Sequence, residues 1–406
     1  MLVLLLAALP AVLRGQGGSP SATFAARGIL AGTYSSREPF GGDMAQLRVV
    51  QPMLMAHADA YDRHLRVTST VDFEAWTIPD GELTIGAWGE GFVDRRHPHT
   101  ILHELVASGV GRVGRAELSL SGGKGFAAFG SDDPANRLTL RYPVNHHWSQ
   151  ILERAVLTGG VLVGPIMAEA SLFNGDEPEY PEQSPNFSRF GDSWSGRLTA
   201  FPVRGLRLEA SYAKVASPEH RAGAGPTQHK WHASGQWTGP VDGHPFYAMA
   251  EWARTEEADG FFVFHSLLAE VSWDLGPTRV YYQFERTERP EEERILGQPT
   301  RSLRPHLENS ILGTSRWTLN TVGVGRDLLA DGGTFRLRPF VEVSYATVVE
   351  LTGGVFDPAT WYGGTDFWGL TLGVTVGLGR TAFSHLMGRY GVAEDAGANP
   401  AHSHHH

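Results

Sequence analysis

Trp368, Leu370, Leu372, Val374, Val376 and Leu378 alternate along the chain with Gly369, Thr371, Gly373, Thr375 and Gly377. A side-chain period of two places the large apolar residues on one face of an extended strand and the small or polar ones on the other. The same alternation recurs at 65–75, 230–237, 279–285 and 335–338. The segments run to about ten residues, the length of a tilted strand that crosses a bilayer. A soluble sandwich also alternates, but its strands are usually shorter and its polar face looks onto water.

Strands are predicted at about 65–77, 82–94, 115–122, 155–163, 166–174, 192–202, 205–216, 229–238, 245–256, 261–274, 278–288, 315–327, 334–348 and 366–379. From the fourth of these onward the connections alternate in length. Short turns at 164–165, 202–204, 239–244, 276–277 and 328–333 take turns with long loops at 175–191, 217–228, 289–314 and 349–365, with 258–260 as the exception. Short turns at one end and long loops at the other distinguish a membrane barrel from a sandwich. The fold predicted is all-β: a transmembrane antiparallel up-and-down β-barrel of about 14 strands, or 16, with short helical segments in its loops. Trp194, Trp231, Trp237, Trp252, Trp273 and Trp368 fall near strand ends, where amphipathic rings settle at the headgroup level.

Composition agrees where it bears on the choice. The 49 Gly, 20 Phe, 11 Trp and 11 Tyr, within a hydrophobic fraction of only 41%, mix strand aromatics with turn residues. The absence of Cys excludes disulfides and thiolate metal sites, and a net charge of −10 argues against a nucleic-acid partner. Residues 1–16 form a short apolar run that reads as a secretory signal peptide. Residues 17–63 show weak periodicity and are expected to form an N-terminal periplasmic extension with a short helix around 44–55. The barrel is expected over 64–380, followed by a His-rich tail at 381–406. Export without a helical anchor, together with the strand pattern, points to the bacterial outer membrane, with outer-membrane lipid as a partner and a homo-oligomer allowed.

Between the third and fourth predicted strands lie Gly123, Lys124, Phe126, Phe129 and Gly130, then Glu153 and Arg154, and after the next hairpin Phe173, Asn174 and Gly175. Over about 55 residues this order resembles the phosphate-selective porin O and P type of outer-membrane porin. The resemblance implies passive diffusion of small hydrophilic or ionic solutes, with no enzymatic activity and no cofactor. The intervening segment is too long for a tight turn and carries charges and a helix-like piece. Folded inward, it would line a constriction with Lys124, Asp132, Asp133, Arg137 and Arg141, while Glu153 and Arg154 would pair within the wall. Family members that select phosphate carry dense Lys and Arg along the pore, and this chain departs from that pattern. Arg279, Arg336 and Arg338 are assigned to the lumen, but so is Glu342, and a lumen of mixed sign does not carry phosphate selectivity over.

One further motif asks for chemistry. His97, His99 and His103 fall within the stretch HPHTILHE. On a helix, His99 and His103 at i and i+4 would share a face and could ligate one divalent metal, although two ligands rarely suffice. The alternation assigns 95–114 to the short-turn side, as a periplasmic cap or plug. A metal-binding or metal-sensing barrel and a plugged structural barrel therefore stand as alternatives to the porin reading. No nucleophile motif singles out a catalytic Ser or His.

Overall fold

The computed structural model describes residues 20–37, 43–77, 100–131, 137–140, 145–178, 181–218, 220–292, 311–331, 335–352, 355–379 and 387–397. The strands in chain order are β1 (Ser21–Ser35), β2 (Met44–Ala60), β3 (Leu65–Asp72), β4 (Leu102–Val113), β5 (Ala116–Gly125), β6 (Arg154–Val163), β7 (Ile166–Phe173), β8 (Ser193–Ala200) and β9 (Leu206–Ala216). They continue as β10 (Thr227–Val241), β11 (His244–Glu257), β12 (Phe262–Leu275), β13 (Thr278–Glu292), β14 (Ile311–Arg326), β15 (Leu329–Asp331), β16 (Phe335–Thr352) and β17 (Asp366–Leu378). Successive strands pair antiparallel, and β1 pairs with both β2 and β17, so the sheet closes on itself. β15 has three residues and sits in the turn between β14 and β16, which pair directly; the wall is therefore a 16-strand barrel. Closure is the physical requirement for strands in hydrocarbon, since an open edge would leave backbone groups unpaired where no water can reach them.

The outer surface carries Leu30, Leu47, Leu54, Leu120, Leu198, Leu208, Val322, Val343 and Leu372, all exposed. Inward positions on β5, β8, β9, β16 and β17 carry mainly Ser, Thr and charged residues, almost all buried. This inversion, apolar outside and polar inside, matches a wall between lipid and an aqueous lumen. Rings cluster on the outer face toward the long-loop end. Tyr34 and Trp368 lie 5.1 Å apart, Trp194 and Tyr212 5.3 Å, and Tyr212 and Trp231 5.5 Å between centroids. Arg254 stacks 5.0 Å from the Trp231 ring, as a cation at a headgroup-level belt can. Among the described residues no helix is long and apolar enough to cross a membrane.

Three sequence expectations change. Residues 21–60 are not a periplasmic extension with a helix at 44–55 but two long wall strands, β1 and β2. Their signal was weak because the inner face is itself apolar, with Ala25, Ile29 and Ala31 on β1 and Val50, Met53 and Met55 on β2. A register shift between Arg27 and Ile29, opposite Gln51 with φ +50°, also breaks the period of two midway. Second, residues 102–113 form the wall strand β4 and not a plug on the short-turn side; Asp72 and Leu102, where β3 ends and β4 begins, lie at the long-loop end. Third, the strand expected over 65–77 ends at Asp72, and Glu74–Thr77 form a single helical turn that leaves Trp76 exposed. The strand expected at 82–94 and the signal segment 1–16 lie outside the described residues. The remaining strands stand within a few residues of where the alternation places them.

Candidate functional site

The connection from β5 to β6, residues 126–153, does not stay at the rim. Phe129 and Ile151 pack with Val156, Phe173, Ala213 and Val215 in a buried cluster on the inner wall of β6, β7 and β9. Gly130 makes this possible: its φ is +70°, and a Cβ there would lie 1.5 Å from the carbonyl oxygen of Ser149. Beyond Gly130 the segment reaches the opposite wall. Arg137 donates from Nη2 to Ser131 Oγ at 2.8 Å and to Glu251 Oε1 on β11 at 3.3 Å, and its Nη1 lies 3.6 Å from Glu270 Oε2 on β12. Thr139 donates to Gln283 on β13 at 3.0 Å. The Leu140 N–H donates to Glu342 on β16 at 3.0 Å, and its side chain packs with Ile29, Ala31 and Val50. The Asn145 N–H donates to Glu285 at 2.9 Å, and Trp148 donates from Nε1 to the Glu288 carbonyl while stacking 4.9 Å from Phe264. The polar anchors of Arg137, Thr139, Leu140 and Asn145 thus lie on β11, β12, β13 and β16, strands remote from β5 and β6 at the segment's root.

At its root is a buried polar cluster. A register shift in β4 between Leu102 and Glu104 turns the adjacent His103 and Glu104 both inward. His103 Nδ1 lies 2.6 Å from Glu153 Oε1, Thr100 donates its N–H to the same carboxylate, and Lys124 donates to the Thr100 hydroxyl with its Nζ 4.0 Å from Glu153 Oε2. Glu104 accepts from Thr70 at 2.7 Å. Arg154 pairs with Glu177 at 2.8 Å. Glu153 and Arg154 thus each pair with residues of the wall and its loops. The metal expectation for His99 and His103 gains nothing here. His99 lies outside the described residues, His103 sits on a strand against a carboxylate, and no group of three or more His, Asp or Glu among the described residues could hold a metal ion.

Of the expected constriction residues, Lys124 and Arg137 are thus buried in the lumen, while Asp132, Asp133 and Arg141 lie outside the described residues. Glu342 faces inward and accepts from the Leu140 N–H and from Tyr281 Oη at 2.8 Å. Arg279, Arg336 and Arg338 come together at the short-turn end. Arg338 forks onto Asp327 at 2.8 and 2.9 Å, Arg336 lies 3.7 Å from the same carboxylate, and Arg279 forks onto Asp274 at 2.5 and 2.6 Å. Paired with carboxylates, these arginines act first on the wall.

Inside the lumen lies a segment that sequence reasoning assigned to a tail. β17 ends at the short-turn end, and residues 387–397 pack against inward-facing wall residues. Val392 and Ala393 pack on Met167, with Val110, Leu162 and Phe201 around them. Met387 and Tyr390 join Met53, Val106 and Phe126. Arg389, 1% exposed, forks onto Glu209 of β9 at 2.6 and 2.9 Å. The one available signal was compositional: Gly388-Arg389-Tyr390-Gly391-Val392-Ala393 is less polar than a solvated tail. The His-rich end, 398–406, lies outside the described residues.

No family model matches the chain, and no curated protein matches it in sequence. Solved structures match in shape. The anion-selective porin from Comamonas acidovorans is 12% identical with a TM-score of 0.53, over 88% of this chain and 100% of that one. OmpF of Salmonella typhi is 10% identical over 89% and 98%, with a TM-score of 0.49. At such identities the likeness is one of architecture, and the first of these agrees with the closed sheet, the apolar exterior and the polar interior. The chain has the 16-strand barrel fold of an outer-membrane porin.

Proposed function

We propose that this protein is a passive channel of the bacterial outer membrane, admitting small hydrophilic or ionic solutes through a lumen narrowed by residues 126–153. The observation that carries the reading is the crossing of the lumen by that segment, tied at Arg137, Thr139, Leu140 and Asn145 to β11, β12, β13 and β16. A stretch fastened to the far wall at successive points reduces the open cross-section, and the polar side chains around it suit hydrated solutes better than apolar ones.

Selectivity does not follow from the likeness to an anion-selective porin or to the phosphate-selective type. The lumen holds Arg66, Lys124, Arg137, Arg197 and Lys230, but also Glu104, Glu169, Glu251, Glu270, Glu285 and Glu342. Many are mutually paired: Arg197 forks onto Glu169 at 2.8 and 2.9 Å. Such a lining favours small solutes of either sign over one anion. Planar-bilayer recordings of the refolded chain, with and without residues 387–406, test the reading. Stepwise ohmic conductance is expected, and membranes that stay silent with both forms would remove it.

A further inference from the structure

We propose that residues 387–397 are a built-in plug, an intramolecular ligand that closes the short-turn mouth of the barrel and must leave for the channel to conduct fully. The inference rests on the channel reading above. Its basis is the way the segment is held.

Contacts run from β2 round to β9. Glu394 lies 3.0 Å from His57 Nδ1 on β2 and 3.6 Å from Arg66 on β3, and Arg66 also donates to the Gly391 carbonyl at 3.2 Å. Tyr390 donates to Glu104 on β4 at 3.0 Å and accepts from the Phe126 N–H at 3.1 Å. The Val392 N–H donates to Ser119 Oγ on β5 at 3.2 Å. Arg389 reaches Glu209 on β9. A chain end resting on a surface by chance does not bury an arginine against a buried glutamate, because the desolvation of both must be matched by good geometry. The forked Arg389–Glu209 pair supplies that geometry.

The backbone is shaped for the site as well. Gly388 and Gly391 have φ of +81° and +60°, and a Cβ on Gly391 would lie 2.4 Å from Ser119 Cβ. Left-handed backbone at a close approach is glycine's role, and both positions hold glycine. The plug also meets the constriction directly. Phe126, the first residue of the lumen-crossing segment, packs on Met387 and Tyr390. The crossing segment's polar anchors at Arg137, Thr139, Leu140 and Asn145 lie on β11, β12, β13 and β16, whereas the plug's polar contacts run over β2–β9.

Three forms compared in planar bilayers test this: the full chain, a chain ending at Leu386, and the full chain with Arg389→Glu, which sets two carboxylates against each other. The shortened chain is expected to show a larger unitary conductance than the full chain, and Arg389→Glu to move toward it. The absence of native cysteine allows a second readout. The thiol of an Ala393→Cys variant, at a position fully buried in the docked segment, should react with a membrane-impermeant maleimide at least about tenfold more slowly than in the Arg389→Glu background, a ratio that ~1.4 kcal/mol of docking provides. Equal conductance of the full and shortened chains overturns the plug and leaves the channel standing, as does an Ala393→Cys thiol that labels as fast in the folded full chain as in the urea-unfolded one. Silence of all three forms overturns both.

Discussion

Arg137 faces two buried carboxylates, Glu251 at 3.3 Å and Glu270 at 3.6 Å, and fastens the middle of the lumen-crossing segment to β11 and β12. Replacing it by Met keeps most of its volume and removes its charge, leaving those carboxylates with one cation fewer. Removing one partner of a buried pair costs about 3–5 kcal/mol, because the other charge stays buried and poorly compensated. Thr139, Leu140 and Asn145 add hydrogen bonds each worth on the order of 1 kcal/mol, with somewhat more where the acceptor is a carboxylate, and Leu140 and Trp148 add apolar packing. Loss of Arg137 is therefore comparable to loss of those three hydrogen bonds together. At ~1.4 kcal/mol per factor of ten, the undocked population should rise by roughly two to three and a half orders of magnitude. The wall does not depend on this residue, so the barrel should still fold and migrate as a heat-modifiable band. The expected phenotype is a larger or noisier unitary conductance and new protease cleavage within 126–153. The double variant Arg137→Met with Glu251→Gln should recover part of the lost docking, since neutralising both members of a buried pair costs less than stranding one. Wild-type conductance together with wild-type protease resistance in Arg137→Met would refute the reasoning.

Other consequences can be checked separately. Leu372 lies on the lipid face at the middle of β17 and Leu378 at its end, so Leu372→Lys should cost about 2–4 kcal/mol and Leu378→Lys about 0–1 in reversible unfolding from lipid; equal costs would contradict the assigned depth. Gly130→Ala places a Cβ against the Ser149 carbonyl at positive φ, and a fall in melting temperature of the refolded barrel is expected; an unchanged melting curve would mean the two limbs of the segment are not so close. His103 is occupied by Glu153, so calorimetric titration with Zn²⁺ should look the same for wild type and His103→Ala, and a binding step that vanishes on substitution would restore the metal reading.

Much of the wall was legible because membrane strands on one barrel obey one rule. Lipid demands apolar side chains outside, the lumen tolerates polar ones inside, and the period of two makes the contrast visible wherever both faces are typical, as on β12, β16 and β17. The rule failed where a face was atypical. On β1 and β2 the inward residues are apolar because they meet Leu140 and neighbouring inward side chains. On β4 the outward residues include Ala107 and Gly109, and the shift at Leu102 to Glu104 places two neighbours inward together. Arg137 could be named as a lumen residue from its segment, but its partners on β11 and β12 could not, since they lie 114 residues or more along the chain.

The sequence by itself determined the class of architecture, the side of the wall on which most residues fall, and the absence of a single charge sign that would mark a selective pore. These follow from local period and composition, which act over a few residues. Only the tertiary structure decided what fills the lumen. The inward turn of 126–153 and the return of 387–397 to the short-turn mouth depend on contacts between residues far apart in sequence. Arg389 meeting Glu209 is one such contact, and nothing local to either residue announces it.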